Sequence, residues 1–250
     1  DLKISYNPSF IGTLLETITF GFYQAPVEVT IEATDEFAGV DHFVYSYIVE
    51  AGASETNTGK SNVTVAATPE SGTSRSYATF EIPAQFRGNV SFTAYDKATN
   101  SSFFADENVV IVDNVAPGVN VEYNNHNDFY DNYFMADRIA TITITEANFF
   151  STKEWGYADI EDDLLVITVG KTLNDGTYTS TKMKPEFTKD GNVYTATILF
   201  DENADYTFDI KYTDRSGNVY DSYETDKFTV DKIKPVIDVS YNDNEAKYEN

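Results

Sequence analysis

Residues Val193 to Asn218 read VYTATILFDENADYTFDIKYTDRSGN, and two runs within them alternate with period two. In VYTATILF, Tyr194, Ala196, Ile198 and Phe200 share one face and Thr195 and Thr197 the other. In YTFDIKY, Tyr206, Phe208, Ile210 and Tyr212 point one way and Thr207, Asp209 and Lys211 the other. Successive side chains of a strand point to opposite faces, so each run reads as a half-buried antiparallel strand. ATITIT, with Ala140, Ile142 and Ile144, and VEVTIEAT, with Val27, Val29, Ile31 and Ala33, carry the same pattern. Turn chemistry lies between such runs: Asn174-Asp175-Gly176, Asp190-Gly191-Asn192 and Ser216-Gly217-Asn218. The best helical candidate is the short acidic piece Ala158 to Asp163, which reads equally well as a loop.

The end of the opening stretch is written twice. TDRSGN, from Thr213, matches YDKATN, from Tyr95, 118 residues earlier. A second phrase keeps the same spacing: VDNVAPGVNVEYNN from Val112 and VDKIKPVIDVSYND from Val230, 118 apart. Tyr6, Tyr123 and Tyr241 mark the phrase three times, in ISYN, VEYN and VSYN. Two independent phrases at one spacing define a repeat. Its units are 1–115 and 116–233, with 234–250 opening a third that is cut short. The doubled phrase is a junction, stiffened by Pro117 and Pro235, because proline fixes φ and holds its predecessor extended. The expected fold is all-β: two tandem antiparallel β-sandwiches of some seven strands each, plus the first strand of a third repeat.

Bulk properties narrow the function. The chain has 250 residues, 41% of them hydrophobic, with 18 Tyr and 18 Phe for aromatic cores. Its 41 acids against 17 bases give a formal net charge of −24, which repels nucleic acid and anionic membrane surfaces. The charge suits a well-solvated exterior or a surface that collects cations. No run of apolar residues is long enough to span a membrane. Cysteine is absent, which fits a bacterial surface protein better than a disulfide-bearing animal module, and also fits a cytosolic one. Asp1 opens directly on a strand pattern, so the expectation is a segment of a longer protein.

The run from Tyr194 to Asn218 resembles the last strands of bacterial immunoglobulin-like repeats, found in tandem in large surface proteins of Gram-positive bacteria. FEIPAQFRGNVSFTAYDKATN, Phe80 to Asn100, resembles a sister type. Glu202, Ala204, Tyr206 and Phe208 fall on the alternate positions where that superfamily places an acid, a glycine, a tyrosine and a cysteine. A tyrosine corner is therefore expected at Tyr206; the first unit has Gly88, Val90 and Phe92 there and lacks it. The resemblance implies an immunoglobulin-like sandwich at the surface or in the cell wall of a Gram-positive bacterium, its partners being neighbouring repeats. It implies a monomeric, non-catalytic spacer, stalk or adhesive module. The alternative is a carbohydrate- or host-protein-binding module accessory to a secreted glycan-degrading enzyme.

Catalytic chemistry finds no foothold. The two histidines, His42 and His126, fall in different units, and no nucleophile triad, phosphate loop or HExxH motif is present. An intramolecular Lys–Asn cross-link needs a lysine on the first strand of each unit. Lys3 could serve in the first, but VNVEYNN has none, so Lys3 reads as an exposed strand residue. The sequons at Asn62, Asn89 and Asn100 arise readily by chance in a Ser- and Thr-rich chain.

Two candidate sites remain. In a seven-strand sandwich the linker enters beside the loops that follow the second and sixth strands. Asp113 and Asn114 would then meet Glu146 and Asn148 after Ile144, and Asp214 and Asn218 after Tyr212. Hard oxygens from three segments suit calcium, which takes six to eight of them. The competing reading is that these residues only cap their own turns. Asp231 would play the part of Asp113 at the next junction, while Asp35, Glu36 and Asp96 lack a preceding linker. The second candidate is Trp155 with Tyr157, in NFFSTKEWGYADIEDDLL, Asn148 to Leu165, which breaks the repeat. Paired loop aromatics stack sugars or anchor partners, and more often cover a core edge.

Overall fold

A computed structural model of the chain describes residues 1–8, 21–51, 53, 56–149 and 164–240. The described residues are all-β and form two sandwich-like domains. In the first, β1 (Leu2–Pro8), β3 (Val27–Thr34), β7 (Arg75–Ile82) and β6 (Thr68–Pro69) lie side by side in that order. The facing sheet runs β2 (Phe22–Tyr23), β10 (Val110–Val112), β8 (Phe86–Asp96), β4 (Val40–Val49), β5 (Gly59–Ala66), with β9 (Ser101–Ala105) also on β8. The second domain has the same order. One sheet is β11 (Gly118–Tyr123), β13 (Arg138–Thr145), β17 (Val193–Phe200), β16 (Thr188–Asp190). The other is β12 (Tyr133–Phe134), β20 (Asp226–Val230), β18 (Ala204–Thr213), β14 (Leu165–Thr172), β15 (Tyr178–Met183), with β19 (Val219–Tyr220) on β18.

Each domain therefore carries more strand segments than the seven expected. The first two strand segments lie in different sheets: β1 pairs antiparallel with β3, whereas β2 runs parallel to β10. The last strand is broken as well, with β9 and β10 on the same edge of β8. The second domain repeats both features, β12 being parallel to β20. The broken last strand holds an acid that the opposite sheet uses, Asp106 just after β9 and Asp226 at the start of β20. The Tyr6 hydroxyl donates to Asp106 Oδ2 at 2.5 Å, and Tyr123 donates to Asp226 Oδ2 at 2.6 Å. The tyrosines of the repeated phrase thus tie the first strand of one sheet to the last strand of the other.

Alternation places the core. In β3 every second residue, Val27, Val29, Ile31 and Ala33, is buried, and in β18 Tyr206, Phe208, Ile210 and Tyr212 are. The cores are aromatic across the sheet gap. Tyr45 stacks on Phe80 at 3.8 Å in the first domain, and Phe200 meets Phe228 edge-on at 5.0 Å in the second. The Tyr206 hydroxyl donates back to the Glu202 carbonyl at 3.3 Å, closing the corner before β18. Lys3 is exposed beside Asp1 at 3.8 Å. Among the described residues no helix is long and apolar enough to cross a membrane.

Candidate metal and interdomain junction

The junction is built from the linker outward. The last strand of the first domain, β10, ends at Val112, and the next N–H still follows the ladder: Asp113 donates to the Tyr23 carbonyl at 2.8 Å. The chain then turns on the Asp113 side chain, whose Oδ1 accepts the Val115 N–H at 3.0 Å. This is an Asx turn, the local bond that aspartate offers in place of a regular ladder. Pro117 is buried, and β11 begins at Gly118 opposite Thr145. Asp113 therefore lands beside the end of β13, where Glu146 follows.

The two loops of the second domain are ordered by their own acids. Asn148 N–H donates to Glu146 Oε1 at 2.6 Å. In DRSGN, Asn218 N–H donates to Asp214 Oδ1 and its Nδ2 to Asp214 Oδ2, both at 2.8 Å. Gly217 takes φ +89, a conformation that side chains disfavour. The turn-capping expectation is met, and the same acids also face the linker. One carboxylate oxygen each from Asp113, Glu146 and Asp214 lie within 4.8 Å of one another. The three residues are 4%, 4% and 1% exposed. Two asparagine amides hook the linker there: Asn148 Nδ2 donates to Asp113 Oδ2, and Asn218 Nδ2 to the Asp113 carbonyl, each at 2.8 Å.

The first domain closes the other side. Arg87 Nη1 donates to Asn148 Oδ1 at 2.9 Å, and Gln24 Nε2 to Asn218 Oδ1 at 3.1 Å. The Arg215 guanidinium lies 5.2 Å from the centre of the Phe22 ring. None of Arg87, Gln24 and Phe22 stands out in the sequence. Phe22 and Gln24 owe their place to β2 lying parallel to β10, and Arg87 to β8 pairing with β10 opposite Ile111, pairings that no local pattern encodes. Asn114 does not join the acids; it is exposed, and its Oδ1 accepts from Gln85 Nε2 at 2.9 Å. Trp155 and Tyr157 lie outside the described residues.

Gathering three acids in a buried site has an electrostatic consequence. Burial, with the charge of Asp113 adding to it, pushes the Asp214 carboxyl up to about 6, against the opposing hydrogen bonds of Asn218. The site can relieve that repulsion by taking a proton or a cation. A hard cation would find three carboxylates. Asn218 can add Oδ1 if it and Gln24 turn their amides together. Asn148 cannot while Arg87, a donor only, holds its Oδ1. Elsewhere, His42 is stacked on Tyr95 at 4.6 Å and bonded to Asp41, and exposed His126 bonds Asp128; neither joins a catalytic constellation.

No family model matches the chain, and no curated protein matches it. Among solved structures, the crystal structure of dimeric latent PorU from Porphyromonas gingivalis is similar over 94% of this chain, at 14% identity and a TM-score of 0.31. This chain spans 24% of that one, and a likeness so loose carries no argument.

Proposed function

We propose that the chain is a non-catalytic spacer: two immunoglobulin-like sandwiches held in file as part of the stalk or adhesive region of a large bacterial cell-surface protein, with calcium stiffening the junction. The observation that carries this reading is the burial of Asp113. A free linker keeps its aspartate in water. Here the linker acid is 4% exposed and is gripped by Asn148 and Asn218 of the following domain. Each sandwich has its own core, so the junction adds only orientation, which is what a spacer needs. Calcium fits because three buried carboxylates converge from three segments, and because a hard divalent ion is satisfied by oxygens alone. The repeated topology and the acidic exterior suit an extracellular tandem array.

The test is thermal unfolding in millimolar calcium, in chelator and in magnesium. A site held at a hundred times its dissociation constant adds about 2.7 kcal/mol, which moves the melting point of a domain this size by about 11 °C. The rise should vanish in Asp113→Ala and in Asp214→Ala. Small-angle scattering should report an elongated particle whose spread of shapes narrows with calcium. A compact particle with the domains folded side by side, or a calcium response indifferent to both variants, overturns the proposal.

A further inference from the structure

The two domains share one strand order, so their cores can be compared ring by ring. In the first, Tyr45 and Tyr47 of β4 form a stack with Phe80 of β7, their rings 3.8 Å and 6.1 Å from it, with 6° and 5° between the planes. The repeat equates Phe80 with Ile198, and the pairing of β4 with β8 and of β14 with β18 equates Tyr45 with Ile167 and Tyr47 with Val169. The second domain therefore sets two isoleucines and a valine where the first sets three rings. The space is not refilled. A cleft of about 180 Å³ opens there, lined by Val169, Ile198, Phe200, Met183 and Tyr206. Tyr47 is 1% exposed, whereas Val169 is only half-buried. A cavity of about 150 Å³ with aliphatic and aromatic walls suffices for benzene, so the cleft takes a ring of the kind that the first domain supplies from its own chain.

The same flank carries an unfinished sheet edge. β16 pairs with β17 only from Val193 to Thr195, while β17 continues to Phe200 with β13 as its one partner there among the described residues. Successive main-chain groups of a strand point to alternate sides. The Asn192 carbonyl accepts the Glu146 N–H on the β13 side, and the Thr195 carbonyl accepts the Thr188 hydroxyl on the β16 side. By that alternation the N–H and C=O of Thr197 and Leu199 face outward, beside the cleft. A strand added there turns every second side chain inward, between the sheets. The cleft also lies clear of a junction of the internal kind. Its turn residues Asp201 and Glu202 match Pro83 and Ala84 of the first domain. Among the described residues, the hydrogen bonds that cross the internal junction come from Gln24, Arg87 and the linker, and none from Pro83 or Ala84.

We propose that the second domain binds an extended, basic peptide segment of a partner protein, which adds as a strand along Thr197 to Leu199 and sets one aromatic side chain into the cleft. Main-chain pairing supplies affinity for any extended segment, and the cleft selects the ring. The rim selects the charge. Asp201 and Glu202 stand at the mouth, and Lys171 beside them is already bound to Glu202 Oε1 at 2.8 Å. On a chain of net charge −24, a lysine or arginine next to the aromatic residue is attracted and an acidic segment is repelled. A second copy of this chain is for that reason a poor occupant. The inference goes beyond the spacer reading and does not depend on calcium.

The probe is a nine-residue peptide of alternating threonine and lysine with tyrosine at its centre, titrated into the isotope-labelled chain and followed by NMR. The Thr197 and Leu199 amides and the Val169 and Met183 methyls should shift saturably, and both amides should exchange more slowly with solvent. The same peptide with alanine at its centre should bind at least about tenfold more weakly, the loss of one buried ring. Val169→Tyr restores the ring of the first domain and should abolish binding. Leu199→Pro removes an outward N–H at a position 54% exposed and should abolish binding without filling the cleft. Para-cresol, the tyrosine side chain without a backbone, should shift the cleft methyls in the wild type and in Leu199→Pro, which also shows that variant to be folded. A wild type without saturable shifts, equal binding of the alanine peptide, or binding that survives Val169→Tyr overturns the proposal. Cresol binding without peptide binding overturns it too, since the cleft is then a small-molecule site. The spacer reading is tested separately, by the melting shift that Asp113→Ala removes.

Discussion

The side-chain amide of Asn218 donates to the main-chain oxygen of Asp113 at 2.8 Å, joining residues 105 apart in sequence. The same amide group bonds Asp214 Oδ2, and its Oδ1 accepts from Gln24. One side chain thus links the linker, the loop after β18 and the preceding domain.

Asn218→Ala removes all three links and leaves buried oxygens without donors, at about 1–3 kcal/mol of stability. Asn218→Asp keeps the shape and adds a fourth acid. In chelator it should lower the melting point at least as far as Asn218→Ala. In calcium it should recover more than the wild type gains, because the new carboxylate is a further ligand. Melting curves of the three proteins in both buffers decide this. Equal calcium gains in the wild type and Asn218→Asp would show that the cation does not sit among these groups.

Asp214 sets a pH signature. Its folded carboxyl is pushed up to about 6 by burial and by Asp113. A raised folded value means that the native state holds the proton more tightly than the unfolded chain does. Its contribution is full below the unfolded carboxylate range and is lost as pH rises through about 6. In chelator, stability relative to Asp214→Asn should therefore fall between pH 4 and pH 7, by up to about 3 kcal/mol for two pH units of displacement. Calcium competes with the proton and should reverse the slope. Urea unfolding across that range in both buffers is the measurement; parallel profiles for wild type and Asp214→Asn would remove the effect.

The repeated tyrosines predict an asymmetry between the domains. Tyr6 and Tyr123 each donate to an acid in the broken last strand, Asp106 and Asp226. Asp226 Oδ2 also accepts from the Tyr223 hydroxyl, whereas Asp106 is otherwise served, on Oδ1, by Asn108 of its own turn. Tyr6→Phe leaves a buried carboxylate oxygen without that donor, at about 1–3 kcal/mol. Tyr123→Phe should cost less, because Tyr223 remains. Hydrogen exchange resolved by domain gives both values; a larger loss in the second domain would contradict this account.

Much of the fold is legible in period-two alternation, because a sandwich buries one face of each strand and wets the other. Tyr194, Ala196, Ile198 and Phe200 are all buried, as are Ala140, Ile142 and Ile144. The meeting of Asp113, Glu146 and Asp214 was legible too, since strand order alone brings those loops to the linker. Less visible were the partners that need tertiary placement. Arg87 looks like any solvent-facing strand arginine until Asn148 is set against it, and Gln24 looks like a loop residue before Pro26. Asn114 looked equivalent to Asp113 in composition, but it sits inside the turn that the Asp113 side chain closes onto Val115. It therefore turns to Gln85. The tyrosines of ISYN and VEYN were visible as markers, and their acid partners were hidden by some hundred residues of separation.

Gly88 offers a test of how closely the first sandwich is packed. It lies in β8 between Val49 of β4 and Val110 of β10. A Cβ there would sit 2.0 Å from the Ile48 carbonyl oxygen and 2.8 Å from Phe86 Cζ. The nearer contact is main chain and cannot swing away, so β4 and β8 must part. Gly88→Ala should cost at least about 3 kcal/mol, in the range of strong overpacking. Gly118→Ala is the matched control, because its nearest neighbour, Thr145 Cβ, is 3.6 Å away, an ordinary contact. Gly118→Ala should leave stability within about 0.5 kcal/mol of the wild type. Domain-resolved hydrogen exchange should show β4 and β8 losing protection in Gly88→Ala while the second domain keeps its own. If both variants match the wild type, the close approach of β8 to the Ile48 carbonyl is wrong.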